Sequence, residues 1–265
     1  MKFALVDNQR QEAQPSLEGF CLGCGSPMVA RCGGVRIKHW AHKGARRCDP
    51  WWENETEWHR NWKNQFQTDW QEIAHRAENG EKHIADVKTP EGWVIEFQHS
   101  SIKPEERQSR EGFYQKLIWI VDGKRRVRDE TQFFEILGNR SGRWINNEIY
   151  PELHSTLPEG PLFRDWIISG AHVFFDFGGE DLWWLLPQST KTWALILPIT
   201  KLEFIDFHQG NGLSQDSKFE ALIKKYNVIP PDPRALAPQS RGVEDIHPNQ
   251  LLMLMRNQSG LRYKR

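Results

Sequence analysis

Hydrophobic and polar residues alternate on both sides of a turn at residues 90–92, where the sequence reads P-E-G. Alternation with a period of two predicts β-strands, so residues 83–100 are expected to form an antiparallel hairpin. If Lys88 pairs with Val94, the same register places Asp86 directly opposite Glu96. The other face carries apolar residues that we expect to face the core, namely Ala85, Val87, Ile95 and Phe97.

Asp86 and Glu96 are therefore expected to be two facing carboxylates, with Gln98 two residues further along the same face. Carboxylates that face each other across a ladder repel, and this repulsion destabilises the hairpin. A bound Mg²⁺ or Mn²⁺ would turn the repulsion into a set of oxygen ligands. The alternative is a solvated hairpin face with scattered charges, and the hairpin alone leaves both interpretations open.

Helical periodicity precedes and follows the hairpin. Between residues 53 and 70, aromatic residues recur every four positions and predict an amphipathic helix whose stripe is core rather than a base-stacking surface. That stripe comprises Trp58, Trp62, Phe66 and Trp70. A strand is expected at 71–77, a helix from Pro104, a buried strand at 117–122 and a short helix at 129–137. The predicted order is helix, three strands, helix, strand, helix.

The pattern changes near residue 139, and we place domain boundaries at 1–50, 51–138 and 139–265. The third segment predicts a small antiparallel sheet, including a strand at residues 201–207, followed by a helix at 216–226. Four prolines between residues 230 and 238 predict an irregular tail, with a final helix near 247–256. We expect this segment to be β-rich, and none of its residues has catalytic spacing.

Composition narrows the class of protein. The 265 residues include 35 Lys and Arg and 35 Asp and Glu, so no overall positive field draws the chain to a polyanion. Apolar runs stay well short of the roughly 20 residues of a membrane span, and the N-terminus turns polar too soon for a signal peptide. We therefore expect a cytoplasmic protein without membrane contact.

All four cysteines precede residue 49, which favours metal binding in a reducing compartment over disulfide bonds. Zinc needs four sulfur or nitrogen ligands, and the N-terminal segment offers more than that. The candidates are Cys21, Cys24, Cys32, His39, His42 and Cys48. The preferred set is Cys21, Cys24, His42 and Cys48, with His39 next and Cys32 as a bystander inside a strand. The alternative is that the thiols are merely buried.

Two groups of residues are candidates for contact with phosphates. Arg107, Arg110 and Tyr114 have helical spacing and would line one side of the helix after the hairpin. Arg125 and Arg126 belong to a basic run that follows the strand at 117–122. The alternative for the helical group is a solvated basic face.

Several motifs, in this order, resemble the CoiA-like competence proteins, a family with a predicted PD-(D/E)XK nuclease domain. They cover about residues 1–138 and read H-W-A-H, E-W-H-x-x-W-K, I-A-D-V, I-E-F-Q-H-S and R-E-G-F-Y. The resemblance implies an α/β (α+β) restriction-endonuclease-like core that cleaves nucleic acid, with DNA as first choice, using magnesium. It also implies a cytoplasmic role in processing or recombining DNA. Where the motif D…E-x-K ends in Lys, this chain has Gln98.

On the interpretation of the chain as a metal-dependent nuclease, we expect the following roles for individual residues. Asp86 and Glu96 would hold Mg²⁺ or Mn²⁺, and Glu57 on the first helix would be a further ligand or water-orienting acid. Gln98 would position the nucleophile. The residues expected to contact the nucleic acid are His59, Arg107, Arg110, Tyr114, Arg125 and Arg126. The zinc module would be structural and would offer nearby basic residues to the backbone, namely Arg31, Arg36, Lys38, Arg46 and Arg47.

Two other functions remain open from the sequence. One is a DNA-binding or recombination accessory protein that keeps the nuclease fold but has lost turnover, for which Gln98 is the best support. The other is an interaction protein that binds a partner, or itself, through the tryptophan-rich C-terminal domain.

Overall fold

The structure is a computed structural model that describes residues 1–44, 48–49, 51, 55–77, 80–138, 143–145, 153–209 and 218–227. For residues 143–145 it describes the backbone alone. The chain is a mixed α/β protein that divides into two compact units, Met1–Ile118 and Trp119–Arg265. This single division differs from the expected boundaries after residues 50 and 138, and the packing inside each unit explains why.

The first unit begins with five short antiparallel strands: β1 (Phe3–Val6), β2 (Gln9–Glu12), β3 (Glu18–Phe20), β4 (Pro27–Arg31) and β5 (His39–His42). Their order in the sheet is β2-β1-β3-β4-β5. Their small core includes Met1, Ala4, Ala13, Cys21, Met28 and Trp40. The sheet is not an independent module, because the backbone N–H groups of Lys2 and Phe3 donate to the carboxylate of Glu72, 70 and 69 residues away.

The rest of the first unit follows the predicted order. It contains α1 (Glu57–Lys63), β6 (Gln71–Arg76), β7 (Lys82–Lys88), β8 (Val94–Gln98) and α2 (Pro104–Phe113). The strands are antiparallel in the order β6-β7-β8, and Pro104 occupies the first turn of α2. Helix α1 is shorter than expected: it begins after the N-cap Thr56 and ends at Lys63. Beyond its end, a 3₁₀ turn (Thr68–Trp70) leads into β6.

The second unit is built on a sheet in the order β10-β11-β14-β13-β12-β9. Its strands are β9 (Leu117–Asp122), in which the unit boundary falls, β10 (Arg143–Ile145), β11 (Leu153–Thr156), β12 (His172–Asp176), β13 (Asp181–Leu185) and β14 (Ala194–Thr200). Its helices are α3 (Asp129–Gly138), α4 (Gly160–Trp166), α5 (Lys201–His208) and α6 (Lys218–Tyr226). The five strands from β10 to β12 in this order form four antiparallel pairs, as predicted for the C-terminal half.

Aromatic residues cover both faces of this sheet, because consecutive side chains of a strand point to opposite sides. On one face Phe133 of α3 contacts Phe175 and Trp183, and on the other Phe204 of α5 contacts Phe174. Helix α3 therefore belongs with the second unit rather than with the preceding strands. Three tryptophans of this unit, Trp166, Trp183 and Trp184, are at most 2% exposed, so they are core and not an interaction surface.

The expected strand at 201–207 is wrong, because these residues form helix α5. Thr200 accepts from the backbone N–H of Glu203, and the Glu203 carboxylate accepts from the backbone N–H of Thr200, which is a capping box. The capping signal T-K-L-E is present in the sequence, but the apolar residues that follow it led to the prediction of a strand. The helix predicted at 216–226 is confirmed over Lys218–Tyr226, which is α6, and residues 216 and 217 lie outside the described residues. Arg46, Arg47, the proline-rich tail and the helix near 247–256 lie outside the described residues. Among the helices that the structure describes, none is long and apolar enough to cross a bilayer.

Acid is expected to destabilise the protein through buried histidines of the second unit. Burial lowers the pKa of His172 to about 4 and that of His208 to about 3. The unfolded chain, with a histidine pKa near 6.5, then binds more protons, so stability falls as pH drops from about 6.5 toward 4. Each histidine should account for about 1–2 kcal/mol between pH 7 and pH 5. Urea unfolding at the two pH values measures the loss.

The control is His208→Phe, because the ring of His208 packs on Phe204 and Phe219. This variant should lose about 1–2 kcal/mol less than the wild-type protein between pH 7 and pH 5. An identical pH dependence in both proteins would show that His208 is not the group that titrates.

Candidate carboxylate site and metal centre

The predicted hairpin is confirmed in its register. Val87 pairs with Ile95 and Lys88 with Val94, and continuing that register sets Asp86 opposite Glu96. The expected core side is also confirmed, since Ala85, Val87, Ile95 and Phe97 are at most 3% exposed.

Both carboxylates accept hydrogen bonds from the opposite strand. The backbone N–H of Asp86 donates to Oε1 of Glu96 at 3.2 Å, and the backbone N–H of Phe97 donates to Oδ2 of Asp86 at 3.1 Å. Each carboxylate thus accepts a hydrogen bond from a backbone N–H group of the facing strand. These bonds hold both carboxylates in fixed positions in the hairpin.

A third carboxylate, Glu72 on β6, extends the row. The β6–β7 register pairs Gln71 with Val87 and Ile73 with Ala85, which sets Glu72 opposite Asp86. Glu72 has a φ of 48°, a left-handed backbone that is uncommon for a non-glycine residue and costs energy. Sequence reasoning missed Glu72, although the same alternation that paired Asp86 with Glu96 would have placed it in the row.

Lys63, the last residue of α1, neutralises one side of this row. Its Nζ lies 3.0 Å from Oε1 of Glu72, 3.1 Å from Oδ1 of Asp86 and 3.3 Å from Oε1 of Glu55. Burial alone would lower the pKa of Lys63, but the three carboxylates outweigh it and raise the pKa well above its usual value. The Glu55 carboxylate also accepts from Arg60 at 2.8 and 2.9 Å.

Arg110 of α2 is the cation on the other side. Its NH1 group donates to Oε2 of Glu96 at 3.2 Å, and its NH2 group donates to Glu106 and to the carbonyl oxygen of Trp51, both at 2.6 Å. Burial and the nearby charge of Asp86 nevertheless raise the pKa of Glu96 to about 8, because Arg110 only partly opposes them. Any additional positive charge close to Glu96 would therefore stabilise its ionised form.

These groups line a cavity of about 70 Å³ in the first unit. Of the residues predicted for the site, it brings together Asp86, Glu96, Gln98, His59, Arg110 and Tyr114. The amide of Gln98 donates to the carbonyl oxygen of Ser100 at 3.1 Å, and Nδ1 of His59 lies 2.9 Å from the hydroxyl of Thr56, which caps α1. Burial raises the pKa of Tyr114.

Four predicted residues lie elsewhere. Glu57 is exposed on the first turn of α1 and does not line the cavity, whereas Glu55 and Glu72 do. Arg107 is buried on α2, where its Nε lies 3.3 Å from Glu111. Arg125 and Arg126 belong to the second unit and contact Asp165 at 3.3 and 2.8 Å, so they are engaged in ion pairs there.

The predicted zinc ligands come together. The ligand atoms of Cys21, Cys24, His42 and Cys48, the preferred set, all lie within 4.8 Å of one another and could hold a metal ion. The Cys21–Cys48 sulfur distance is 3.4 Å, and Cys24 Sγ lies 3.3 Å from Nε2 of His42. A tetrahedral zinc ion bonded at about 2.0–2.3 Å needs ligand atoms roughly this far apart, so three thiols and one imidazole can hold zinc here.

The two candidate ligands left out of that set have other surroundings. His39 lies with Nδ1 2.8 Å from the carbonyl oxygen of Ile37, and Cys32 packs against the core of the N-terminal sheet. Within the centre, burial acts to raise the pKa of Cys24, but hydrogen bonds from Ser26 and His42 outweigh it and lower the pKa to about 6. Burial raises the pKa of Cys21 and Cys48.

Cys48, Asp49 and Trp51 connect the candidate metal centre with the carboxylate cavity. Cys48 and His42 line the cavity themselves. Asp49 accepts from the backbone N–H of Ile84 at 2.9 Å and lies 2.9 Å from Nδ1 of His83, both on β7. Trp51 stacks on His83 and, as described above, accepts from Arg110. Cys48, a candidate metal ligand, therefore lies three residues before Trp51. The carbonyl oxygen of Trp51 accepts from Arg110, which also donates to Glu96.

Comparison with protein-family models, with curated proteins and with solved structures finds no match to this chain.

Proposed function

We propose that the protein is a metal-dependent nuclease whose active site is the carboxylate cavity. The observation that carries the proposal is the register that sets Asp86 opposite Glu96 in a cavity, in line with a third acid, Glu72. Clustered buried carboxylates are costly to a fold, and a perturbed acid such as Glu96 in a cavity is typical of functional sites. The choice of nucleic acid as substrate is supported by the motif resemblance of residues 1–138.

The donor set fits a hard divalent cation such as Mg²⁺ or Mn²⁺. Asp86 and Glu96 offer carboxylate oxygens, the ligands that these ions prefer. Each oxygen is already oriented by a donor or a cation, and a carboxylate oxygen has a second lone pair with which to bind a metal. When bound, the ion would lower the pKa of a water and stabilise negative charge on the scissile phosphate.

The chain's own residues supply the remaining functions. The backbone N–H groups of Asp86 and Phe97 fix the two acids, and Arg110 holds Glu96 from α2. Gln98 is nearly fully buried at the cavity wall, where its amide can orient a water as neutral donor and acceptor. Glu96 and Gln98 are at most 6% exposed, which limits access of bulk water to this part of the cavity.

The test is a cleavage assay with the full chain on single- and double-stranded DNA and RNA. Linear and circular substrates, incubated with Mg²⁺, Mn²⁺ or excess chelator, separate cutting at ends from cutting within the strand. We expect cleavage of at least one nucleic acid that requires Mg²⁺ or Mn²⁺ and stops with chelator. Absence of cleavage of every substrate with both ions would contradict the proposal.

A second candidate is a nucleic-acid-binding accessory protein without turnover. Lys63 and Arg110 favour it, because they neutralise the acids in the absence of any metal. The neutral Gln98 at the place of the family's lysine favours it as well. Nucleic-acid binding without cleavage in Mg²⁺ and Mn²⁺, measured on the same substrates, would select this function over the nuclease.

A further inference from the structure

Lys63 is a buried lysine whose ammonium group contacts three carboxylates. Its side chain is 5% exposed, and its ammonium group contacts carboxylates from three separate parts of the chain: Glu55 before α1, Glu72 on β6 and Asp86 on β7. An ammonium group has three N–H donors, and three carboxylate oxygens lie within 3.3 Å of it. The group is thus surrounded by oxygens, as a bound metal ion would be.

The packing and capping of helix α1 keep the Lys63 ammonium group close to Asp86. The preceding residue, Trp62, stacks on Phe97 of β8 at a ring distance of 5.7 Å, and Phe66 also contacts that ring. Thr56 caps the other end of α1 through a capping box with His59. Helix α1 is therefore anchored at both ends, and the Lys63 ammonium stays beside Asp86.

This position has a consequence for any cation that Asp86 binds. Oδ1 of Asp86 is shared with Lys63, so a divalent ion on this carboxylate would lie a few ångströms from an ammonium group. Like charges at such a distance repel strongly in a buried site. The other two acids around Lys63 are also withheld from the ion while the ammonium group occupies the space between them.

We propose that Lys63 is a positioning residue that sets how tightly the cavity binds a divalent cation. It fixes Asp86 and competes with the cation for the oxygens of Asp86, Glu55 and Glu72. This inference rests on the proposed function, because it assumes that Asp86 and Glu96 bind the ion. It assigns a role to a residue that lies outside the hairpin.

The test measures Mn²⁺ binding to the full, zinc-loaded chain by calorimetry, in wild type and in Lys63→Gln. We expect the variant to bind Mn²⁺ at least about tenfold more tightly, which is about 1.4 kcal/mol, because a competing charge is gone and two acids are released. The melting temperature of the variant should also rise more on addition of Mn²⁺ than that of wild type.

Two control variants separate competition from a structural role. Lys63→Arg keeps the charge, so its Mn²⁺ affinity should stay within about threefold of wild type. Lys2→Gln removes another buried lysine of the same unit, which bonds Asn64 and Gln71 and does not line the cavity. It should lower stability and leave Mn²⁺ affinity unchanged.

The outcomes are distinguishable. Equal or weaker Mn²⁺ binding by Lys63→Gln, with binding by wild type, overturns the role of Lys63 and leaves the nuclease proposal standing. Failure of both proteins to bind Mn²⁺ overturns both. Binding by the variant alone supports Lys63 as the resident cation and counts against a metal-dependent reaction in wild type. If Lys63→Gln is unfolded without metal, recovery of the fold in excess Mn²⁺ supports the inference, and failure to recover contradicts it.

Discussion

Asp86→Asn and Glu96→Gln are each expected to lower the rate of metal-dependent cleavage at least about 100-fold. Each change removes a negative oxygen from the candidate metal site while preserving the shape of the side chain. The amide oxygen of the new residue can still accept the backbone N–H of Phe97 or Asp86. Lys63 keeps two carboxylate partners without Asp86, and Arg110 keeps Glu106 and Trp51 without Glu96, so both variants should fold.

The matched control is Glu57→Gln, which removes an exposed carboxylate of the same unit that does not line the cavity. Its cleavage rate should stay within about twofold of wild type, because solvent screens an exposed charge and weakens its effect on other groups. Initial rates are compared at saturating Mg²⁺, with far-UV circular dichroism to verify folding. Near wild-type cleavage by a folded Asp86→Asn or Glu96→Gln variant would place the active site elsewhere.

Loss of the metal centre is expected to have the second large effect. Cys24→Ser and Cys48→Ser should each abolish retention of zinc and lower the free energy of unfolding by more than about 3 kcal/mol. The reason is that metal binding by such a small strand-and-turn module contributes directly to its folding. Elemental analysis of freshly purified, reduced protein measures the zinc, and urea unfolding measures the stability.

Cys32→Ser is the control, because Cys32 packs against the core of the N-terminal sheet but does not belong to the group of four candidate ligands. This variant should retain one zinc per chain. Zinc-free wild-type protein, or a Cys24→Ser variant that keeps its zinc, would contradict the assignment.

The effect of zinc loss should reach the carboxylate cavity. Cys48 is followed by Asp49, which accepts from β7, and by Trp51, which accepts from Arg110. If Cys48 no longer binds a metal ion, the position of Asp49 and Trp51 next to it is less restrained. We therefore expect the cleavage rate to fall with zinc content, even though none of the zinc ligands is an acid of the proposed active site.

The hairpin could be read from the sequence because its information is local. Strand alternation, the P-E-G turn and one pairing were enough to set Asp86 opposite Glu96. The cluster of four candidate zinc ligands was also predictable, since zinc needs four sulfur or nitrogen ligands and a C-x-x-C pair with one later histidine and cysteine supplies them. Helix α2 was likewise predicted from Pro104 and the periodicity after it.

The partners of the two facing acids were not predictable in this way. Two buried carboxylates need a positive charge or hydrogen-bond donors close by. The alternation pattern does not show whether a metal ion, water or a cation from elsewhere in the chain supplies them. Lys63 comes from a helix 23 residues before Asp86 and Arg110 from one 14 residues after Glu96. Which charged residue of a helix enters the cavity depends on where the helix ends and how it is anchored, and the actual end of α1 at Lys63 differs from the expected one.

The sequence by itself therefore determined the elements whose signals are short in range: the register of the hairpin, the cluster of candidate zinc ligands and most strands and helices. The tertiary structure decided which charges meet. It brought Glu55 and Glu72, rather than Glu57, to the cavity and engaged Arg125 and Arg126 in ion pairs of the second unit. The physical reason is that hydrogen-bond register and turn geometry act over a few residues. The burial of a charge, in contrast, depends on partners that only the packed chain brings within about 3 Å.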